Sequence, residues 1–108
     1  MGQNHSVQVE GTVAPGYESV RDMFEANFRE GRETNAQLCV YVGDELVIDL
    51  YASLYDSSSY TGDTLSNVFS STKSLTAICM ARMVDKGLLD YNEKISKYWP
   101  EFAQNGKT

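Results

Sequence analysis

The sequence predicts a mixed fold of the α/β (α+β) class, an antiparallel sheet flanked by helices, on three observations. Residues 17–30 carry an apolar stripe of helical period, and residues 37–51 alternate as a strand pair around a Gly-Asp turn. A segment starting near Ser70 is apolar around almost its whole circumference. The length of 108 residues leaves room for one small domain and no second. Apolar residues at 42% and charged residues at 22% place it among globular rather than disordered chains.

Residues 1–13 read as a flexible N-terminal arm, and residues 14–108 as the folded part. Pro15-Gly16 punctuates the start of the first helix. Within it Val20, Met23, Phe24 and Phe28 share one face, opposite Glu18, Arg21, Asp22 and Glu25. Gly31 is placed to close that helix in a left-handed cap. Leu38-Cys39-Val40-Tyr41-Val42 and the alternating Leu46, Ile48 and Leu50 then read as two strands of a hairpin. Gly43-Asp44 between them is a favoured tight-turn pair. Residues 56–62 form a polar loop.

The second helix runs from near Ser70 to Lys86. Its residues Leu75, Ala77, Ile78, Cys79, Met80, Ala81, Met83 and Val84 leave little polar face. Such a helix is expected to be buried at the centre of a fold. Gly87 caps it, with Leu88 folding back towards Met83. A short helical turn around residues 93–98 is broken by Pro100.

Charge narrows the partners. The net charge is −6, from 9 basic and 15 acidic residues, and no Lys/Arg cluster breaks that balance. A phosphate-tracking surface is therefore not expected, and with it no nucleic-acid partner. The longest uncharged apolar run, residues 74–81, is far shorter than the ~20 residues of a membrane span. The first residues lack the apolar centre of a signal peptide, which points to a cytoplasmic location. Met1-Gly2-Gln3-Asn4-His5-Ser6 does fit the short N-myristoylation pattern at Gly2. One such chain would hold a membrane only marginally. Cys39 and Cys79 lie among apolar residues and are expected to be buried free thiols. They lack metal-ligand spacing, and the single histidine, His5, sits in the arm, so neither a metal site nor a cofactor is expected.

One cluster carries chemistry. In Phe69-Ser70-Ser71-Thr72-Lys73, Ser70 and Lys73 are one helical turn apart, so their side chains can meet. A serine hydroxyl becomes a nucleophile only when a neighbouring base takes its proton. Lysine can be that base where an apolar surrounding favours its neutral amine. A helix N-terminus also favours the negative charge that develops on an attacked carbonyl. The same spacing fits a capping serine followed by a surface lysine. The missing polar face weighs against that reading, and the residues alone leave both open.

Other groups read as structural. Asp85, Asp90, Glu93 and Glu101 are expected to be solvated or capping acids, and Tyr91, Tyr98, Trp99 and Phe102 packing residues. Gly106-Lys107-Thr108 imitates the end of a phosphate-binding loop, but Glu101 stands where that loop needs glycine.

Asp63-Thr64-Leu65, Val68-Phe69-Ser70-Ser71-Thr72-Lys73, Gly87-Leu88-Leu89-Asp90 and Tyr98-Trp99-Pro100-Glu101-Phe102 follow a familiar order and spacing. In these the chain resembles the opening portion of the β-lactamase-related serine hydrolases. That group spans class C β-lactamases, family VIII esterases, D-Ala-D-Ala carboxypeptidases and their animal relatives. The likeness runs over residues 13–107. It implies a β-lactamase/transpeptidase-like fold, of which residues 14–108 would be an incomplete, N-terminal segment. It also implies that Ser70 forms an acyl-enzyme, that Lys73 assists proton transfer, and that Thr72 is a structural neighbour. A small-molecule ester or amide, a β-lactam or a peptide would be the substrate. The family's Tyr-x-Asn and Lys-Thr-Gly or His-x-Gly motifs would fall beyond Thr108, and Lys107-Thr108 is not the latter, since no strand precedes it. Hairpin edges without the family's further strands would invite self-association. Two rival readings are a non-catalytic interaction module that keeps these helices, and a pseudo-enzyme that retains Ser70 for structure.

Overall fold

A computed structural model describes residues 6–107. Gly2, with its modification pattern, and His5 lie outside the described residues. The chain forms two compact units, the first ending at Leu65 and the second beginning at Ser66.

The first unit is a three-stranded antiparallel sheet with one helix on it. Strands β1 (Glu10–Val13), β2 (Asn35–Val42) and β3 (Glu45–Ser53) lie in the order β1-β3-β2. The hairpin is the one the alternation predicts, joined by Gly43-Asp44. Its register places Leu38 opposite Leu50 and Val40 opposite Ile48, so these four share one face. Helix α1 (Glu18–Arg29) contributes Phe24 and Phe28 to a core with Val9, Val47, Ile48, Leu50 and Ala52. Phe28 is fully buried, and its ring meets that of Phe24 at a centroid distance of 5.4 Å. Met23, one turn before Ala26 on the flank of the stripe, remains 69% exposed. The helix ends as expected: Gly31 N–H donates to the Phe28 carbonyl and Arg32 N–H to that of Asn27.

Two expectations fail in this unit. The end of the supposed arm, Glu10–Val13, is strand β1, paired with β3 from Glu10 opposite Tyr51 to Val13 opposite Ile48. Two further contacts fix it in place. Ala14 N–H donates to the Val47 carbonyl, and the Arg21 guanidinium reaches back from α1 to the Val9 carbonyl at 2.7 Å. Cys39 is exposed rather than buried, because it faces Asp49 on the side of the sheet opposite Leu38 and Val40.

β1 approaches its partner closely at Gly11. There φ is +100°, and a Cβ would sit 1.9 Å from the Asp49 carbonyl oxygen. Gly11→Ala combines that clash with a backbone conformation costing an L-residue roughly 1–3 kcal/mol. The variant is expected to melt at lower temperature and to lose amide protection in β1, with the β2–β3 hairpin retained. An unchanged melt would show that β1 contributes nothing to the sheet.

After β3 the chain turns on Ser53, which is buried. Its hydroxyl donates to Asn35 Oδ1 and accepts the Tyr55 and Asp56 amides. The polar loop that follows is organised by Asp56, whose carboxylate accepts from both Ser58 and Ser59. The Ser59 hydroxyl, then that of Ser58, hold this carboxyl below the usual aspartate range. Gln37 on β2 fastens the far end of the loop by donating to the Thr61 and Thr64 carbonyls.

The second unit is helical. A 3-10 turn (Phe69–Ser71) leads directly into α2 (Thr72–Asp85), followed by α3 (Ile95–Tyr98) and irregular 3-10 turns over Pro100–Gly106. Gly87 at φ +70° closes α2, and Leu88 N–H donates to the Met83 carbonyl at 2.9 Å. A side chain at Gly87 would oppose this left-handed turn.

The burial expected for α2 is not found. No residue of the helix is buried, and Leu75 and Ile78 are 59% and 63% exposed. Cys79 is exposed with them. An all-apolar circumference is a property of the sequence, whereas burial depends on what packs around it. Within the unit, Met80 and Val84 line a shallow apolar groove with Leu89, Tyr91, Ile95 and Tyr98. No helix of the described residues is long and apolar enough to cross a membrane.

Candidate active site

Ser70 lies in the 3-10 turn, and Lys73 is the second residue of α2. The tight turn passing into a regular helix puts the two side chains on one face, and Lys73 Nζ donates to Ser70 Oγ at 3.0 Å. Both side chains are exposed, so the apolar surrounding expected for Lys73 is not supplied by the described residues. Thr72 opens α2, and its carbonyl accepts from the Thr76 hydroxyl.

The backbone entering this turn is unusual. Phe69 has φ +45°, in the left-handed region that a side chain disfavours by roughly 1–2 kcal/mol. Asn67 Oδ1 accepts the Phe69 N–H at 2.9 Å, and the Ser71 N–H donates to the Val68 carbonyl at 3.0 Å. These two bonds hold the chain through the bend. Sequence reading did not single out Asn67. The signal was there, since an asparagine two residues ahead of a turn is a ready acceptor for its backbone.

Chemically, the pair is a hydroxyl and an amine already in hydrogen-bond contact. The same contact serves a neutral amine as acceptor of the hydroxyl proton, which is the geometry a serine nucleophile needs. The dipole of α2 adds positive potential at the end where Ser70 sits.

Several of the residues read as structural make local contacts, while Tyr91 is exposed. Asp90 Oδ1 accepts the Asn92 N–H and the Tyr98 hydroxyl accepts the Asp90 N–H. Glu93 pairs with Lys97 at 2.8 Å, and this hydrogen bond holds the Lys97 ammonium above the usual lysine range. The rings of Trp99 and Phe102 pack at 5.6 Å, though both keep an exposed side. Among the described residues, no three His, Cys, Asp or Glu side chains gather to hold a metal ion.

The chain is similar to known proteins along most of its length. The Beta-lactamase family model matches residues 20–108. The esterase/beta-lactamase LipL of Mycobacterium tuberculosis is 32% identical over 109 residues, which is 98% of this chain and 25% of that protein. The acyltransferase calJ of Penicillium decumbens is 43% identical over 42 residues, 39% of this chain and 10% of that protein. A crystal structure of a family VIII carboxylesterase superposes with a TM-score of 0.83 at 39% identity, covering 93% of this chain and 28% of that one. The antiparallel sheet and its helices thus fall within a known class of α+β proteins. The chain belongs to the beta-lactamase family. It spans about a quarter of the length of LipL and of the family VIII carboxylesterase.

Proposed function

We propose that this chain carries the nucleophile of a serine hydrolase, with Ser70 as the acylated residue and Lys73 as its proton partner. The observation that carries the reading is the 3.0 Å contact between Lys73 Nζ and Ser70 Oγ at the start of α2. In the reaction the Lys73 amine takes the Ser70 hydroxyl proton as Oγ attacks the substrate carbonyl carbon. The proton then passes to the leaving alcohol or amine, and water releases the acyl group from Oγ. The step draws on no cofactor. The substrate is a small-molecule ester, an amide including a β-lactam, or a peptide, in keeping with the esterase, β-lactamase and acyltransferase names of the relatives. Free, exposed thiols on both units suit a reducing, cytoplasmic compartment.

In this reading the chain corresponds to the N-terminal segment of the family's domain, and it covers a quarter of LipL. Acylation and turnover are therefore expected to separate. Treated with a fluorophosphonate, the 108-residue chain should gain one adduct on the peptide containing Ser70, and none in Ser70→Ala. Hydrolysis of p-nitrophenyl acetate should stay at the Ser70→Ala background. Equal labelling of Ser70→Ala would put the reactive nucleophile elsewhere and end the proposal, and a wild-type chain that takes no label would favour a non-catalytic interaction module. The strand edges of β1 and β2 and the open faces of α2 are expected to drive self-association, which sedimentation reads directly.

A further inference from the structure

Asn67 is two residues away from the strained backbone and three from the proposed nucleophile, and its side chain bonds to neither Ser70 nor Lys73. We infer that it is a positioning residue for Ser70, an inference that rests on the acylation reading above. Phe69 is the residue immediately before Ser70, and its φ of +45° sets the direction in which the next residue leaves the bend. A phenylalanine does not hold that conformation by preference. The Asn67 Oδ1 bond to the Phe69 N–H, 2.9 Å long, fixes the plane of the peptide that precedes Phe69, and with the chain held on either side Phe69 returns to ordinary φ only by turning that peptide and breaking the bond. If Phe69 relaxes, Ser70 rotates with it, and the 3.0 Å contact with Lys73 Nζ is lost although both side chains remain.

A plain capping role would predict something different. A cap lends stability to the turn and to α2, so its loss lowers melting and any good cap restores it. The positioning role instead ties the reactivity of Ser70 to the φ of Phe69. Glycine at position 69 adopts positive φ without cost, so it should make Asn67 dispensable for reactivity even while it weakens the turn.

The test uses the full chain and two readouts. The three-bond HN–Hα coupling of Phe69 and the proximity of Ser70 and Lys73 in NMR spectra report the geometry. The rate of fluorophosphonate addition to Ser70 reports the chemistry. Asn67→Ala should take Phe69 out of the left-handed region and slow labelling by roughly threefold to tenfold, the effect of one exposed hydrogen bond. Asn67→Asp keeps the acceptor and should preserve both readouts. Adding Phe69→Gly to Asn67→Ala should restore the labelling rate without restoring melting temperature. Asn67→Ala with the wild-type coupling and contact, or a slow double variant, would overturn the inference. An unlabelled wild-type chain would instead count against the acylation reading, and the coupling and contact would still decide what Asn67 does.

Discussion

Replacing Lys73 with methionine is expected to slow acylation of Ser70 by roughly 10²–10⁴-fold, the usual effect of removing a positioned proton acceptor. Methionine keeps most of the stem and favours the helix, so α2 should form as before. What disappears is the Nζ contact with Ser70 Oγ at 3.0 Å. Lys73 is exposed, so its loss leaves no cavity and no orphaned buried partner. Fluorophosphonate labelling followed by mass spectrometry, with circular dichroism as a check on folding, separates the two effects. Near-normal labelling of a folded Lys73→Met variant would mean that another base serves Ser70.

The second large effect is on stability. Phe28 has no exposed surface, and Phe→Ala at such a site costs about 3–5 kcal/mol. The unit that ends at Leu65 has a typical stability of roughly 3–10 kcal/mol for its size. Phe28→Ala should therefore remove much of that margin and lower its melting temperature steeply. Met23 on the same helix is 69% exposed, and Met23→Ala should change stability by less than about 0.5 kcal/mol. If the two variants melt together, the packing of α1 on the sheet is not what holds this unit.

Periodic signals were the legible ones. Helix α1 and the hairpin follow from apolar spacing and from Gly43-Asp44, all of it local in sequence. Strand β1 was not legible. Glu10, Gly11 and Thr12 give no apolar alternation, and the pairing that makes them a strand comes from β3, far along the chain. The exposure of Cys39 is hidden in an apolar run in which every second side chain faces the other way. The pairing of Ser70 with Lys73 was legible as a spacing, and the structure adds the distance. The bend that presents Ser70 was hidden, because a phenylalanine does not announce a left-handed conformation.

The central place of β3 in the sheet has a bearing on how the chain acquires its fold. A hairpin such as β2–β3 closes in about 1–10 μs once both strands exist. β1 must wait, since Val13 pairs with Ile48 only after α1 and β2 have been made. At a synthesis rate of about 5–20 residues per second, that interval is on the order of seconds. During it β1 is an unpaired strand with one apolar residue among four, too polar to seed association. The composition that concealed β1 as a strand is thus well suited to a segment that leaves the ribosome long before its partner.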